Sequence, residues 1–211
     1  MPDWDKIFAE RGRVFIDPHP HINRVVKIIR AKGGSRILDL GCGTGRHVVY
    51  LSRLDFDVYG FDASQKAISM TEEWLASENL EANICKHQME DAFPYEDNYF
   101  DAVVSIQVIH HNLVKDIRKT IKEIERVLKP DGLLFVTVPV LRPGPVSEDD
   151  DWKLVEVEAG TYVPQRGWES GIPHHYFTLD EIQTELRAFE ILDIFLDETD
   201  HRCVLAELQG T

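Results

Sequence analysis

Apolar positions along the chain change period several times, and each change marks a boundary between helix and strand. Trp4, Ile7 and Phe8 fall on one side of a short polar helix over residues 3–13. After Pro20, Ile22, Val25, Val26 and Ile29 recur at three-and-four spacing, a stripe that Gly33 and Gly34 stop. From there the pattern predicts strand 36–40, helix 45–53, strand 57–61, helix 65–77, and strands 82–87 and 101–106. A helix with Ile117, Ile121, Ile124 and Leu128 on one stripe should end at the break Lys129-Pro130-Asp131-Gly132, ahead of strand 133–138. Strands alternating with helices predict a parallel sheet covered on both faces.

The rhythm stops at Pro139. Up to Pro173 the chain holds prolines, glycines and the acidic run Glu148-Asp149-Asp150-Asp151 with little periodicity, which reads as a long loop or lid. Connections of that length in a compact domain generally serve binding or are disordered. A last helix over 179–187, with Thr178 as its N-cap, precedes apolar segments 189–196 and 203–208. The turn residues Asp197 to His201 between them predict an antiparallel hairpin closing the sheet. The expected architecture is therefore α/β, a doubly wound sheet of seven strands, mostly parallel with a C-terminal antiparallel hairpin, in one domain over 1–211.

At 211 residues and 43% hydrophobic, the chain can bury a core without disulfides or metal. Its net charge of -14 repels phosphodiester backbones, so a small-molecule substrate is expected and no nucleic-acid partner. Cys42, Cys85 and Cys203 are scattered without CxxC spacing, which fits a reducing cytoplasm rather than a disulfide framework. The first thirteen residues carry charge where a signal peptide needs an apolar core, and no apolar run reaches the roughly 20 residues of a membrane span. No membrane partner is expected, and the oligomeric state is open.

The densest chemistry lies in ILDLGCGTGRH, residues 37–47, where Gly41, Gly43 and Gly45 follow a predicted strand. Glycines there let the chain turn sharply and let a ligand lie against main-chain N–H groups. A dinucleotide fingerprint would place its third glycine at position 46, which is Arg46. Asp39, just before the loop, would repel a pyrophosphate but suits a ligand bearing an ammonium group. Both features argue against a nicotinamide-dependent oxidoreductase.

The segment ILDLGCGTG resembles the first motif of class I S-adenosylmethionine-dependent methyltransferases, and the similarity extends over about positions 35–140. It implies a Rossmann-like fold, S-adenosylmethionine as cofactor, and a cofactor core at 35–138 flanked by an N-terminal helical cover (1–34), a lid or substrate loop (139–177) and a final helix with strand hairpin (178–211). Asp39, Gly41, Cys42, Gly43, Gly45 and Arg46 would line the cofactor, Arg46 facing the methionine carboxylate or simply solvent. Asp62, in VYGFDAS beside Ala63, matches the acid that binds both ribose hydroxyls; its local alternative is to cap the next helix, a task for which Ser64 is better suited. Where the family commonly has an acid after the third strand, counting back from Pro94 reaches Met89, and one inserted residue makes it Gln88. Gln88, Met89 and Glu90 are thus the adenine-side candidates, and Ile106 and Gln107 the methionine-side ones. FDAVVSIQVIHH and IKEIERVLKPDGLLFVTVP most resemble the small-molecule branch that includes ubiquinone-biosynthesis and tellurite-resistance methyltransferases.

The expected reaction is methyl transfer to a small molecule by in-line displacement. The alternative is a module that binds the cofactor or its demethylated product without catalysis. A base is needed only for a protonated acceptor, and His111, His174 and His175 are the candidates. With Trp4 they are also the substrate-side candidates, and Phe8 and Phe15 are further aromatic candidates for the cover. Adjacent histidines on extended chain point opposite ways, so one of each pair, His110-His111 and His174-His175, should face the pocket. A metal site built from both pairs and His19-Pro20-His21 has no ligand spacing behind it, and none is expected.

Overall fold

The computed structural model describes residues 4–13, 15–141 and 153–210. Elements run α1 (Trp4–Arg11), α2 (Ile22–Ala31), β1 (Arg36–Leu40), α3 (Arg46–Ser52), β2 (Asp57–Asp62), α4 (Gln65–Ser77), β3 (Asn83–Lys86), β4 (Phe100–Ile106), α5 (Val114–Val127), β5 (Leu128–Val138), β6 (Leu154–Glu158), β7 (Thr161–Pro164), β8 (His174–His175), α6 (Leu179–Glu185), β9 (Phe189–Leu196) and β10 (Arg202–Leu208). Seven strands form one sheet in the order β3-β2-β1-β4-β5-β10-β9. The first five are parallel, and β10 runs antiparallel to both β5 and β9, as the sequence predicts.

Side-chain alternation in β1, β4 and β5 divides the core between the two faces. Leu38, Val103, Leu134 and Val136 meet the stripe of α5 and Ile182 of α6. Ile37, Ala102, Val104 and Phe135 meet α2, α3 and α4. Chain order reverses at β1 and β4, so the crevice beyond their carboxyl ends is where a doubly wound sheet binds ligands.

Two stretches differ from expectation. The break at Lys129–Gly132 lies inside β5, where it appears as a register shift against β4 with Asp131 at φ +61°. The expected lid contains a second, three-stranded antiparallel sheet, β6-β7-β8. Its signal is inverted: Val155 and Val157 face solvent, while the carboxylate of Glu158 turns inward to accept from Val114 N at 2.7 Å. That bond caps α5, whose own N-cap residue Leu113 supplies no side-chain acceptor. The acidic run 148–151 lies outside the described residues.

Helix α6 begins with a reciprocal cap in which Thr178 Oγ1 accepts from Glu181 N (3.1 Å) and Glu181 Oε2 from Thr178 N (2.7 Å). Thr178→Ala should therefore cost about 1 kcal/mol, or roughly 2–4 °C in Tm. It should leave ligand binding at the strand ends unchanged, which a thermal melt paired with a ligand titration would check.

Candidate active site

Strand β1 delivers the glycine loop to the sheet's carboxyl edge. Gly41 and Cys42 both donate their N–H groups to Phe61 O at 2.9 Å, tying the loop to β2. Gly41 and Gly45 have φ of +71° and +92°, and a Cβ on either would collide, 2.4 Å from Val108 Cγ1 or 2.7 Å from Thr71 Cγ2. These two are glycine for backbone and packing reasons. Gly43, at φ +54°, shares the backbone requirement but not the clash: a Cβ there would meet only Phe8 of α1, at 3.7 Å, so this residue faces the cover.

Asp62, at the end of β2, is 9% exposed and joins the loop to the next helix. Its Oδ2 accepts from Gly43 N and its Oδ1 from Ser64 N, both at 2.9 Å. Ser64 caps α4 as expected, accepting from Ala67 N at 3.1 Å. Each Asp62 oxygen thus keeps a lone pair after serving the backbone. Burial raises its pKa, and the two N–H groups oppose that rise.

Asp39 is 1% exposed, and its Oδ2 has no hydrogen-bond partner among the described residues. Burial pushes its pKa up to about 7; Arg46 opposes this and Asp62 adds to it. The nearest ring is His47, whose Nδ1 lies 3.9 Å from Oδ2. His47 Nε2 accepts from His19 N (3.1 Å), so the proton of the neutral ring sits on Nδ1 and faces Asp39. Burial holds His47 well below its ordinary pKa, so it stays neutral. The Arg46 guanidinium lies 5.0 Å from the ring centroid of Phe15, which is itself 62% exposed and so not packed into the crevice.

Helix α1 crosses this edge. Asp5 Oδ1 accepts from Lys66 N (2.9 Å) and from Ser64 Oγ, placing a carboxylate at the N-terminus of α4. Trp4 packs edge-on against His111, with ring centroids 5.1 Å apart, and Arg11 lies over Trp168 at 4.5 Å.

The histidines converge more than expected. His110 and His111 sit in a turn after β4 rather than on extended chain, so their rings lie together, with centroids 3.9 Å apart. His174 joins them, 4.7 Å from His111 and 5.6 Å from His110. In β8 the alternation holds. His175 turns to Thr161 Oγ1 (2.8 Å) and the Phe177 ring, and its backbone N–H donates to His110 O, which ties the small sheet to the main one. Burial holds His110 and His111 well below the ordinary imidazole pKa, and their neighbours add to that.

Residues 38–136 match the family model described as a methyltransferase domain. An uncharacterized methyltransferase of Synechocystis sp. is 28% identical over 156 residues, 68% of this chain and 71% of the relative. The ubiquinone biosynthesis O-methyltransferase of Bradyrhizobium diazoefficiens is 34% identical over 114 residues; the match spans 54% of this chain but only 44% of that enzyme's length. The solved 1,6-didemethyltoxoflavin-N1-methyltransferase of Burkholderia thailandensis, with S-adenosylhomocysteine bound, superposes with a TM-score of 0.73 at 16% identity, covering 99% of this chain and 86% of that one.

Over residues 38–136, just under half of its length, this chain is similar to the class I S-adenosylmethionine-dependent methyltransferase family. The cofactor of that family is S-adenosylmethionine. The site fits that molecule on the structure's own terms: a buried, unpartnered carboxylate oxygen suits an ammonium, and a second buried carboxylate with spare lone pairs suits a diol.

The remaining cofactor candidates fall in different surroundings. Cys42, 4% exposed, packs against Gly60, and Ala63 lies between Asp62 and the Ser64 cap. Met89 packs against the core, and its carbonyl accepts from Thr120 Oγ1 at 2.8 Å. Glu90 lines a surface groove of about 420 Å³ beside Lys115 and Lys119 of α5, away from the glycine loop. Gln107 has φ +61° and donates its side-chain Nε2 back to Thr137 Oγ1 at 3.0 Å, while Ile106 is buried in the core. His87 escapes the sequence reading. Its N–H donates to Asp62 O, its ring packs on Phe61, and its buried Nε2 lacks a partner among the described residues. Asp5 and His47 escape it too, because their partners are set by tertiary packing and not by spacing.

Proposed function

We propose that the chain transfers a methyl group from S-adenosylmethionine to a small-molecule acceptor held beneath α1 and the β6-β7-β8 sheet. The observation that carries this reading is the pairing at one sheet edge of Asp39 and Asp62, two buried carboxylates of different chemistry separated by a bare backbone loop. When bound, the cofactor supplies an electrophilic sulfonium methyl group. In this reading Asp62 accepts both ribose hydroxyls, Asp39 the ammonium, and the Gly43 main chain approaches the ligand without a side chain between. Gln88, with Met89 and His87 beside it, faces the adenine, and Arg46 the carboxylate. Trp4 and the His110, His111 and His174 group bound the acceptor side and exclude water. His175 buttresses the small sheet instead. The lowered pKa values of His110 and His111 make those two rings weak bases, so the acceptor should arrive anionic or be made so.

The net charge of -14 favours a small molecule over a polyanion. Among the described residues no helix is long and apolar enough to cross a membrane. The three free cysteines fit a reducing, cytoplasmic setting. Incubation with methyl-labelled cofactor and a panel of phenols, thiols and amines should move label into at least one acceptor. S-adenosylhomocysteine should bind at one site by calorimetry, and absence of that binding would end the proposal.

A further inference from the structure

The three-histidine group has features that a packing role does not require. One side-chain donor atom from each of His110, His111 and His174 lies within 4.8 Å of the others. His110 is 2% exposed, and its Nδ1 has no hydrogen-bond partner among the described residues, an omission that costs free energy unless something binds there. His174 contributes a second oddity. Its Nδ1 faces Ile172 O and its Nε2 faces Glu169 Oε2, both at 2.9 Å, so both ring nitrogens face acceptors. Both side chains are buried, Glu169 at 7% exposed and His174 at 5%. A histidine that holds a metal through one nitrogen donates its other ring N–H to a carboxylate, a carbonyl or water, and His174 has such a partner at each nitrogen.

We propose that His110, His111 and His174 bind one divalent cation of the zinc class, one nitrogen from each ring, with Glu169 behind His174 and an open position toward the acceptor. Three neutral imidazoles and a nearby carboxylate match the ligand preference of zinc, and three protein ligands leave a fourth position free. Tetrahedral zinc at about 2.0–2.1 Å from each nitrogen needs donors about 3.4 Å apart. Closing to that spacing from within 4.8 Å takes an inward rotation of the rings, with His174 giving up its contact with Ile172 O and keeping Glu169 behind it.

The role of the metal rests on the methyl-transfer reading. A cation at this position would bind an acceptor bearing an acidic hydroxyl or thiol and lower its pKa. The proton leaves to solvent and the freed lone pair serves as nucleophile.

A second cluster of possible ligands among the described residues, His19, Asp197 and Cys203, is already internally matched. His19 Nε2 meets Asp197 Oδ2 at 3.0 Å, and His19 Nδ1 accepts from His21 N at 3.3 Å. The test must separate the two. Untagged full-length protein is titrated with zinc against a chromophoric chelator, and with cobalt under visible spectroscopy. S-adenosylhomocysteine affinity is measured on the same samples. The expected result is one zinc per chain, and a cobalt spectrum without the sulfur charge-transfer band that Cys203 would give. His111→Ala should lose zinc uptake while staying folded by circular dichroism and still binding S-adenosylhomocysteine. Absent uptake, uptake that survives His111→Ala, or a sulfur-to-cobalt band would each overturn the proposal. Zinc uptake in a wild-type protein that fails to bind S-adenosylhomocysteine would uphold the metal site and count against the methyl-transfer reading alone.

Discussion

Asp62→Ala should weaken S-adenosylhomocysteine binding about 100-fold or more, read by calorimetry. Two losses combine. The proposed ribose hydroxyls lose a charged acceptor, and each such hydrogen bond is worth about 1.5–3 kcal/mol. The N–H groups of Gly43 and Ser64 also lose their shared acceptor, so the loop that must lie against the ligand is no longer held at its centre. Asp62→Asn separates the two contributions only poorly, because one carboxamide position is an NH2 that would face a backbone N–H. It should therefore behave nearly like alanine. Asp5→Ala is the more useful control. Asp5 is exposed and pins α1 to the N-terminus of α4. Removing it should loosen the cover and change affinity far less. An Asp62→Ala protein binding within about threefold of wild type, a difference under 1 kcal/mol, would remove the ribose role.

What could be read from the sequence and what could not divide along a physical line. The GxGxG loop, the strand-end carboxylates and the Ser64 and Thr178 caps act over a few residues, so spacing alone places them. The seven-stranded sheet is readable for a related reason, since its strands are buried runs between clear helical stripes. The histidine group is not local. It depends on a turn at residues 109–111 that replaces the extended chain assumed for His110-His111, and on β8, two residues long, pairing back across the small sheet. That sheet was hidden because its first strand turns Val155 and Val157 outward and Glu158 inward, the reverse of the amphipathic rule. His47 illustrates the same limit. It reads as an ordinary residue at the start of a helix, yet His19, 28 residues earlier, fixes its tautomer toward Asp39.

Asp39→Asn should move stability and binding in opposite directions. The folded-state pKa of Asp39, about 7, lies above the ordinary 3.8 of the unfolded chain. Between about pH 4 and pH 7 the folded protein keeps a proton that the unfolded chain has released, so this group lowers stability as pH rises through that window. Above it, the ionised carboxylate destabilises the free protein by up to roughly 4 kcal/mol, an upper bound since buried sites relax and admit water. Asparagine carries no such penalty. The variant should be more stable than wild type at pH 8, and the difference should vanish near pH 4. Binding should respond the other way, because an ammonium at this position needs the charge that asparagine lacks. Affinity at pH 8 should fall about tenfold or more. In wild type, affinity should decline as pH drops below about 7, by up to tenfold per unit, since the carboxylate must first give up its proton. The variant's affinity should be flat over the same range. Denaturant melts at pH 4 and pH 8, with titrations between pH 6 and pH 8, test both halves. A variant less stable than wild type at pH 8 would mean the carboxylate is already satisfied in the free protein, and unchanged affinity would mean that the ammonium lies elsewhere.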